Sequence, residues 1–566
     1  MELFRKIRTE TLLIIVLCLA AFFVNNSALS TDGEEAKIVV TARDIANTGN
    51  WMSPTMNGAP CLSTPPLAAW VAACVERVYP DNISAQRCVS ALLATICCLF
   101  FFGVARYMER RRGFAELATM VFLTCYHVIY MGRMVSHDVY SITFIMGAIY
   151  YLMRLFYDRR YYANPHKWRW ALLAGLMFGL SFLGNGIVTF YALFLPFIVT
   201  TMVLKRPDMK GRLWPLLLTT VVAFLTFGWW YAWLFTHHSE VTSEVLKSQL
   251  APWITGHVRP WYYYWRFFAE MGVWSILALA AFFVPYWRKR VSTKRPYLMS
   301  MLWVVVALVL LSIMPEKSMD DLVVLMPPFA MAVASLIYYY IEGRPTDTWG
   351  KMLFQTNGFF IALFIFALPI LIHVFMTNHR LIDMGTAICV NVLFIGIGIY
   401  VVVSTKRKEM KSVVKGVMLL FFATECLLFS SIDELVTNSQ HRSIGLVNTD
   451  KLLQELPIYH NADESLRMEL VYEAKRHIHD LDLKDKEAVM KALPCLLVTQ
   501  NSLNDELPMS ILNEVDTMRV GVFDDNRLPR SNSHYRQELV NHVSVLRLKA
   551  KEMEQDDVEA VPSNSQ

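Results

Sequence analysis

The sequence is dominated by a series of about thirteen apolar runs, most of them close to the length of one membrane-spanning helix. An α-helix rises about 1.5 Å per residue, so about 20 apolar residues cross a hydrocarbon core of about 30 Å. The runs lie near residues 11–29, 83–105, 114–131, 139–156, 170–184, 187–204, 214–235, 265–285, 298–314, 322–340, 358–376, 385–404 and 415–431. They predict a polytopic α-helical membrane protein with about thirteen transmembrane helices.

The composition and the placement of charge agree with this class. Hydrophobic residues make up 55% and charged residues 18% of the chain, whereas an average soluble domain has about 25% charged residues. The formal net charge of +5 comes from basic connections between apolar runs, where lysine and arginine set the membrane topology. We therefore exclude a nucleic-acid partner.

The basic connections also predict the orientation of the chain. They alternate along the sequence, at residues 110–112, 159–169, 205–212, 288–295 and 406–415. By the positive-inside rule these connections and the N-terminus are cytoplasmic, and an odd number of spans then puts the C-terminus outside. The outer connections are 30–82, the turn around Asp138, 236–264, 315–321, 376–384 and everything after 431, and we expect the chemistry on that side.

The first apolar run has two readings. Arg5, Lys6 and Arg8 form the basic head of a signal peptide, and Ala28 to Ser30 offer a cleavage site of small residues. The uncharged run at 11–29 exceeds the usual length of about 7 to 15 residues for a signal peptide, which favours a membrane anchor.

The chain divides into a membrane part and a small outer domain. Residues 1–431 carry the apolar runs, and residues 30–82 form the first outer loop. Residues 432–550 predict a small α/β domain outside the membrane, with an amphipathic helix at 466–478 and short strands at 494–499 and 519–523. Residues 551–566 are acidic and then small and polar, which predicts a disordered tail.

The first outer loop places acidic residues beside the membrane. They are Asp32, Glu34, Glu35 and Asp44. The apolar spacing after Glu34 predicts a short surface helix that ends at Thr48-Gly49, and Pro65-Pro66 predict the start of a second one. These helices would hold the acids at the mouth of the helix bundle. The same spacing is also expected if the acids are only solvent-exposed residues of a loop with no functional role.

Three further outer segments carry candidate functional groups. Asp138 lies at the end of a span in GRMVSHD, where it either faces a cavity or anchors the helix at the interface. His257 in GHVRPWYYYW could bind a metal or a phosphate, although the aromatic run beside it is typical of an interface belt. Lys317 in IMPEKSMDD could contact an anionic headgroup or belong to an ordinary charged turn.

The ten cysteines give no sign of a metal site, because no CxxC spacing occurs and most of them lie in apolar runs. Cys61 and Cys74 are the pair near the outer face that could form a disulfide.

Read in order, these segments resemble the GT-C membrane glycosyltransferases that use polyprenyl-phosphate-linked sugars. The resemblance is strongest to the branch of the lipid A aminoarabinose transferases and extends to the protein O-mannosyltransferases. It rests on ARDIANTGNWMSPTMNGAPCLSTPPLAAW, GRMVSHD, GLSFLGNGIVTF, GHVRPWYYYW and SIMPEKSMDDLVVLMPPFA, which follow the order and spacing of that family's motifs. Thirteen spans followed by an outer α/β domain are also that branch's layout.

The resemblance implies a reaction and a set of site residues. An acceptor nucleophile attacks the anomeric carbon of the sugar and displaces polyprenyl phosphate with inversion, assisted by a carboxylate base. The acceptor is a lipid of the lipid A type or a protein, on the periplasmic face of a bacterial inner membrane. The implied catalytic acids are Glu34, Glu35 and Asp138. The family's basic residue after the acid pair falls on Lys37, and His257 matches a histidine that can bind a divalent metal. Because the chain departs from the family pattern elsewhere, the cations predicted to bind the donor phosphate are Lys37, Arg133, Arg259 and Lys317, with the donor placed differently.

The sequence also departs from the family pattern. The family's Glu-Lys pair before Pro-Pro is Ser63-Thr64, and the basic residue of its FLTKGP segment is Asn185. Asp320-Asp321 replace an Arg-Tyr region, which puts negative charge where a leaving phosphate favours positive charge. Two other functions therefore stay open: a non-catalytic relative that binds a polyprenyl lipid or scaffolds an envelope complex, and, with less support, a transporter.

Overall fold

The computed structural model describes residues 9–111, 113–157, 166–254, 258–343, 345, 347–377, 384–429, 441–526, 530, 532 and 535–549. The chain forms two compact units, Met1–Leu435 and Val436–Gln566. The helices of the first unit are α1 Thr9–Cys18, α2 Gly33–Thr48, α3 Leu67–Val78, α4 Ile83–Met108, α5 Phe114–Leu123, α6 Tyr126–Arg133, α7 His137–Tyr157, α8 His166–Leu183, α9 Ile187–Leu204, α10 Leu213–His237, α11 Thr242–Gln249, α12 Ala251–Ile254, α13 Ser275–Ala281, α14 Val284–Trp287, α15 Lys294–Ile313, α16 Met326–Glu342, α17 Thr348–Leu371, α18 Met384–Lys406 and α19 Met410–Leu427.

Several of these helices are long and apolar enough to cross a membrane. Within the described ranges they are α4, α7, α9, α10, α15, α16 with the 3₁₀ turn before it, α17 and α18, which makes eight. Helices α5 and α6 add a ninth span if the pair is counted as one, bent by 68°. The chain is therefore a polytopic helical membrane protein, as the sequence predicts.

The number of thirteen spans stays a prediction. The remaining predicted runs form helices that are shorter, interrupted or more polar. The run at 265–285 is one example, because Gly272 has φ 59° and ψ −124° and breaks the helical path inside the 3₁₀ segment Ala269–Trp274, just before α13. A hydrophobic run alone does not reveal such a break, which a glycine makes at little cost.

Helices α8 and α10 cross closely at two glycines on α8. A Cβ atom on Gly175 would lie 2.5 Å from the carbonyl oxygen of Thr219, and one on Gly179 would lie 2.3 Å from the Cβ atom of Thr226. Glycines four residues apart lie on one face of a helix and allow two backbones to approach in a membrane. These two glycines therefore set the separation of α8 and α10.

We expect Gly179→Ala to destabilise the first unit by about 1 to 3 kcal/mol, because the added methyl group forces the two helices apart. The measurement is the thermal unfolding of the full-length protein in detergent. Gly396→Ala on α18 is the matched control, since a Cβ atom there meets nothing within 4 Å. Equal unfolding temperatures for the two variants would contradict this packing role.

The two predicted helices of the first outer loop are present as α2 and α3. Helix α2 begins after Asp32, whose carboxylate accepts the Glu35 N–H, and ends at Gly49 with φ 74°, a conformation that suits glycine. Between α2 and α3, strands β1 Thr55–Met56 and β2 Ala59–Pro60 form a hairpin whose turn residues are Asn57 and Gly58, the residue pair favoured at such turns. The cysteines of this region, Cys61 and Cys74, are free, so the disulfide is not formed.

The second unit is an α/β domain built on a five-stranded sheet. Its strands are β3 Ile458–Asn461, β4 Ile478–Leu481, β5 Cys495–Thr499, β6 Val515–Asp524 and β7 Val540–Leu548, and its helices are α20 Lys451–Gln454, α21 Met468–Ala474, α22 Lys486–Ala492, α23 Leu503–Glu506 and α24 Met509–Leu512. The order is β4-β3-β5-β7-β6, with β4, β3 and β5 parallel and β7 antiparallel to both neighbours.

The strand predictions at 494–499 and 519–523 fall on β5 and within β6. The predicted helix at 466–478 is shorter, because Lys475 takes a left-handed conformation with φ 56° after α21 and β4 follows. Residues 551–566, predicted as a disordered tail, lie outside the described residues.

A pair of carboxyl groups lies where β3 and β5 end. Glu464 accepts the N–H of Gln500 at 3.2 Å, and Glu506 accepts the N–H of Asn501 at 2.8 Å. Burial and the neighbouring Glu506 raise the pKa of Glu464 from 4.5 to about 7. The pair therefore holds a proton that an isolated carboxyl group would lose well below neutral pH.

This pair predicts a pH dependence of the second unit. A carboxyl group whose pKa is raised in the folded state does not reduce the free energy of unfolding below its unfolded pKa. As the pH rises from the unfolded pKa through the folded pKa, here from about pH 4.5 to about 7, the group lowers the free energy of unfolding. Hydrogen exchange of the full-length protein, corrected for intrinsic rates, should show weaker protection at the ends of β3 and β5 at about pH 8 than at about pH 5. Glu464→Gln should remove the difference, and an unchanged difference in that variant would exclude this carboxyl group as its source.

Candidate active site

The first turn of α2 is fixed to the segment that joins α6 and α7. A Glu34 carboxylate oxygen accepts the N–H of His137 at 3.0 Å, and a Glu35 oxygen accepts the N–H of Val135 at 2.9 Å. Glu34 therefore lies at the N-terminus of α7, where the helix dipole favours a negative charge. The two adjacent acids join the first outer loop to the GRMVSHD segment about 100 residues later in the chain.

Glu35 is committed to a buried ion pair with Arg87 on α4. The guanidinium donates to the two carboxylate oxygens at 2.9 and 2.6 Å, and both side chains are 0% exposed. Arg87 also donates to the carbonyl oxygens of Asn26 and Leu29 at 3.1 and 2.7 Å. These contacts tie α2, α4 and the segment after the first helix together, and they leave Glu35 inaccessible to a substrate.

Glu34 lies on the accessible side of the same helical turn. Burial by the surrounding protein raises its pKa, and the charges of Asp32 and Asp320 add to this effect, whereas the His137 N–H and Lys37 oppose it. Glu34 is therefore a carboxylate with increased basicity in an open site.

Asp138 completes the group from the first turn of α7. It lies within electrostatic range of Glu34, Asp320 and Asp321, and in the described part of the chain no group donates a hydrogen bond to its carboxylate. We call the set formed by Asp32, Glu34, Asp138, Asp320 and Asp321 the acidic mouth. The sequence predicts Glu34 and Asp138 as site residues, and the structure brings them together.

The remaining acids of the acidic mouth are oriented by neighbouring donors. Asp32 accepts from the Tyr130 hydroxyl at 2.6 Å in addition to capping α2. Asp321 accepts from the Tyr264 hydroxyl at 2.8 Å and from the Ser318 N–H at 2.7 Å, and Asp320 accepts from the Ser318 hydroxyl at 3.0 Å. Burial and the charge of Asp321 raise the pKa of Tyr264, so this hydroxyl stays a donor. Asp320 and Asp321 thus belong to the acidic mouth itself.

Two of the four cations predicted to bind phosphate are engaged elsewhere. Arg133 is fully buried, donates to the Val24 and Asn25 carbonyl oxygens at 2.9 and 3.1 Å, and pairs with Glu425 on α19. The Lys317 ammonium is buried and donates to three carbonyl oxygens, including that of Arg259 at 3.0 Å. Neither group is available to a substrate in this arrangement.

The other two cations are accessible. Lys37 is exposed on α2, one turn after Glu34, and Arg259 is exposed with its guanidinium against the Tyr263 ring and hydroxyl. The Arg259 N–H also donates to the Pro315 carbonyl oxygen at 3.1 Å, which attaches this segment to the loop that carries Lys317. Positive charge can therefore reach a ligand from Lys37 and Arg259.

Ser63 and Thr64, which stand where the family has its Glu-Lys pair, do not form a metal site. The Ser63 carbonyl oxygen accepts from Ser248 at 2.8 Å and from Gln249 at 3.1 Å. Over the described residues, no group of three or more His, Cys, Asp or Glu side chains has the arrangement of a metal site. His257 lies outside the described residues.

Sequence reasoning overlooked Arg87 and Glu425, the partners that fix Glu35 and Arg133. Both lie inside predicted apolar runs, 83–105 and 415–431. An ionisable residue within a membrane span is a functional or structural candidate by default. That signal identifies the two positions, but it does not identify their partners, which lie 52 and 292 residues away in the chain.

Comparisons with known proteins agree with this architecture. The family model described as "Dolichyl-phosphate-mannose-protein mannosyltransferase" matches residues 63–233. The chain is 24% identical over 375 residues to the undecaprenyl phosphate-alpha-4-amino-4-deoxy-L-arabinose arabinosyl transferase of Serratia proteamaculans, an alignment that covers 64% of each chain. It is 25% identical over 343 residues to the second such transferase of Proteus mirabilis, covering 57% of this chain and 58% of that protein. These alignments thus span less than two thirds of the relatives' own lengths.

The fold is shared with a solved structure. The crystal structure of ArnT from Cupriavidus metallidurans bound to undecaprenyl phosphate superimposes with a TM-score of 0.66 at 15% identity, covering 94% of this chain and 97% of that chain. Its apo state gives a TM-score of 0.63 at 14% identity. The resemblance to the aminoarabinose transferase and protein mannosyltransferase superfamily that the sequence motifs indicate is therefore confirmed.

Proposed function

From this shared fold and the acidic mouth, we propose that the chain is an integral-membrane glycosyltransferase. It takes a sugar from a polyprenyl-phosphate-linked donor and passes it, with inversion, to a lipid of the lipid A type or to a protein. The observation that carries the proposal is the meeting of Glu34 and Asp138, which come from separate segments and lie together in an accessible site. Among the residues that the structure describes, neither group has an ion pair that would occupy it.

The proposed reaction is a single displacement. The Glu34 carboxylate removes the proton of the acceptor hydroxyl or amine as that atom attacks the anomeric carbon of the sugar. The bond between this carbon and the phosphate oxygen breaks, and polyprenyl phosphate leaves with the electron pair. Desolvation makes Glu34 a stronger base than an exposed carboxylate, and Asp138 orients the acceptor beside it.

The charges around the site bear on the choice of donor. Lys37 and Arg259 are the predicted cations that can approach the leaving phosphate. Asp320 and Asp321 disfavour a second anion but favour a cationic group on the sugar. The relatives' names include a 4-amino-4-deoxy sugar, and we propose that an amino sugar is the donor sugar of this chain too.

The proposal includes a location and a domain arrangement. The chain would lie in a bacterial inner membrane with about thirteen spans over residues 1–431 and a cytoplasmic N-terminus. Residues 432–550 would form a periplasmic α/β domain, followed by a tail at 551–566. The basic connections of the sequence support this orientation, since lysine and arginine concentrate on the cytoplasmic side. With this orientation, the acidic mouth opens on the outer side.

No step of the proposed reaction uses a metal. Ser63 and Thr64 are poor metal ligands compared with a carboxylate, and the Ser63 carbonyl oxygen is already engaged. A divalent metal at His257 stays a prediction. Metal analysis of the purified protein and of a His257→Ala variant tests it directly.

A second candidate function is supported by the charge reversal at Asp320-Asp321. Negative charge at this place disfavours the charge that develops on a leaving phosphate as its bond to the sugar breaks, as expected of a relative that keeps the fold without catalysis and binds a polyprenyl lipid elsewhere or scaffolds an envelope complex. Such a protein would retain the fold and lose turnover.

The two functions are separated by an assay on the purified protein in lipid nanodiscs. The protein is supplied with a polyprenyl-phosphate-linked amino sugar and an envelope lipid extract, and the release of free polyprenyl phosphate is measured by mass spectrometry. A transferase releases it only when acceptor is present, whereas a lipid-binding relative leaves the donor intact. Envelope glycolipids and glycoproteins from cells with and without the protein identify the acceptor by the same method.

A further inference from the structure

A cluster of basic side chains lies at the opposite ends of the helices that form the acidic mouth. Asp138 is at the start of α7 and Tyr157 is at its end. Arg295 is in the first turn of α15, and the loop with Asp320 follows the last turn of that helix. Each helix is 20 or 21 residues long, which corresponds to about 30 Å, the thickness of a hydrocarbon core.

The cluster is formed by Lys205, Arg110 and Arg295, which we call the inner basic cluster. They follow α9, follow α4 and begin α15, so three separate helices bring them together. Lys205 is half-buried, and its pKa is lowered first by burial and then by the charges of Arg110 and Arg295, with Glu109 as the nearby acid that opposes them. Both guanidinium groups therefore lie close enough to act on the Lys205 ammonium, and Glu109 is the acid of the described residues that acts on it in the opposite sense.

Lys205 is held in place by aromatic residues from two of the neighbouring helices. Its ammonium donates to the Tyr107 carbonyl oxygen at 3.2 Å and lies 4.3 Å from the centre of the Tyr157 ring, and the Tyr157 hydroxyl donates to the Lys205 carbonyl oxygen at 2.6 Å. The exposed guanidinium groups of Arg110 and Arg295 make no hydrogen bond or ion pair with any residue that the structure describes. The cluster thus combines one fixed cation with two accessible ones.

An apolar surface lies directly beside the cluster. Val203 and Leu204, which precede Lys205, are 65% and 42% exposed, and Leu213 and Trp214 at the start of α10 are 65% and 71% exposed. In a membrane span such side chains face acyl chains. Cations at the end of an apolar surface match a molecule with a negatively charged head and a hydrocarbon tail.

We propose that the inner basic cluster binds the phosphate group of an anionic phospholipid in the membrane leaflet opposite to the acidic mouth. Topology signals require only that lysine and arginine lie in the inner connections. They do not require that cations from three helices converge around a half-buried lysine, which is unfavourable without a counter-ion. A lipid phosphate supplies that counter-ion, and this site is independent of the proposed transferase reaction.

The test is native mass spectrometry of the full-length protein titrated with phosphatidylglycerol and, separately, with phosphatidylcholine. We expect the double variant Arg110→Gln/Arg295→Gln to bind phosphatidylglycerol about tenfold more weakly, since each cation near a membrane surface contributes severalfold to the binding of an anionic lipid. Binding of phosphatidylcholine should not change. The matched control is Lys406→Gln/Arg407→Gln, which removes the same charge from exposed positions at the end of α18 and should bind like the unmodified protein.

Two results would overturn the proposal. Equal weakening in the two double variants would mean that total charge, and not the inner basic cluster, governs lipid binding. Displacement of phosphatidylglycerol by millimolar inorganic phosphate would assign the cluster to a free anion instead of a lipid. Both variants change exposed side chains, and a symmetrical size-exclusion peak verifies that each is folded.

Discussion

Replacing Glu34 with glutamine is expected to lower the rate of sugar transfer by about a hundredfold or more, the usual loss when a general base is removed. Glutamine can still accept the His137 N–H at its amide oxygen, so the variant keeps the helix contact. It cannot take a proton from the acceptor. The measurement is the rate of polyprenyl phosphate release in nanodiscs at saturating donor and acceptor.

Asp138→Asn is expected to cause a loss of similar or somewhat smaller size, because this carboxylate orients the acceptor and does not receive its proton. Glu244→Gln on α11 is the matched control, since this acid is exposed and lies outside the acidic mouth. Full activity in both the Glu34 and the Asp138 variants would contradict the assignment of the site. Loss of activity in the Glu244 variant would point to a general effect of charge.

The pH dependence of the rate gives a second measurement on the same group. Burial raises the pKa of Glu34 above 4.5, and only the ionised form is a base. The rate should therefore fall on acidification with a midpoint above pH 4.5, and the Glu34→Gln variant should lose this limb of the profile. A midpoint at the ordinary value would argue against a desolvated base.

The second large effect is expected at Arg87. Arg87→Met leaves the Glu35 carboxylate buried without its partner, and removal of one member of a buried ion pair costs about 3 to 5 kcal/mol. We expect a marked drop in the thermal unfolding temperature and in the yield of folded protein after detergent extraction. The lost hydrogen bonds to the Asn26 and Leu29 carbonyl oxygens add to the effect.

Two further variants separate the ion pair from its surroundings. The double variant Arg87→Met/Glu35→Leu removes both charges and should recover part of the lost stability, because no uncompensated charge remains. Arg111→Met breaks an exposed pair with Glu342 at 3.1 Å and should cost at most about 1 kcal/mol. If the Arg87 and Arg111 variants unfolded alike, the buried pair would not be a major source of stability.

The sequence was sufficient to predict which segments meet at the site, but not how each side chain is used. The Gly49 stop and the position of Asp138 at the end of an apolar run follow from local rules. The capping role of Asp32 obeys such a rule too, although the sequence analysis does not predict it. The difference between Glu34 and Glu35 does not. It depends on which side of α2 faces Arg87, a partner from another helix that hydropathy assigns to a lipid-embedded run.

Arg133 and Lys317 illustrate the same limit. Each lies next to the predicted site in the sequence, and an accessible cation there would suit a leaving phosphate. Their availability is decided by backbone carbonyl oxygens and by Glu425, which the chain brings close only when it is folded. Local sequence reports the type of a charge near a site, whereas its partner decides whether that charge is free to act.

The first turn of α2 places two adjacent acids about 100° apart around the helix axis. One is anchored in the protein and the other points into the open site, so the anchor fixes the position of its neighbour. The ordering of the proposed base is thus completed during folding and draws nothing from substrate binding. For protein engineering, position 34 is therefore suited to substitution. Different side chains can be introduced there while the ion pair between Glu35 and Arg87 keeps the first turn of α2 in place.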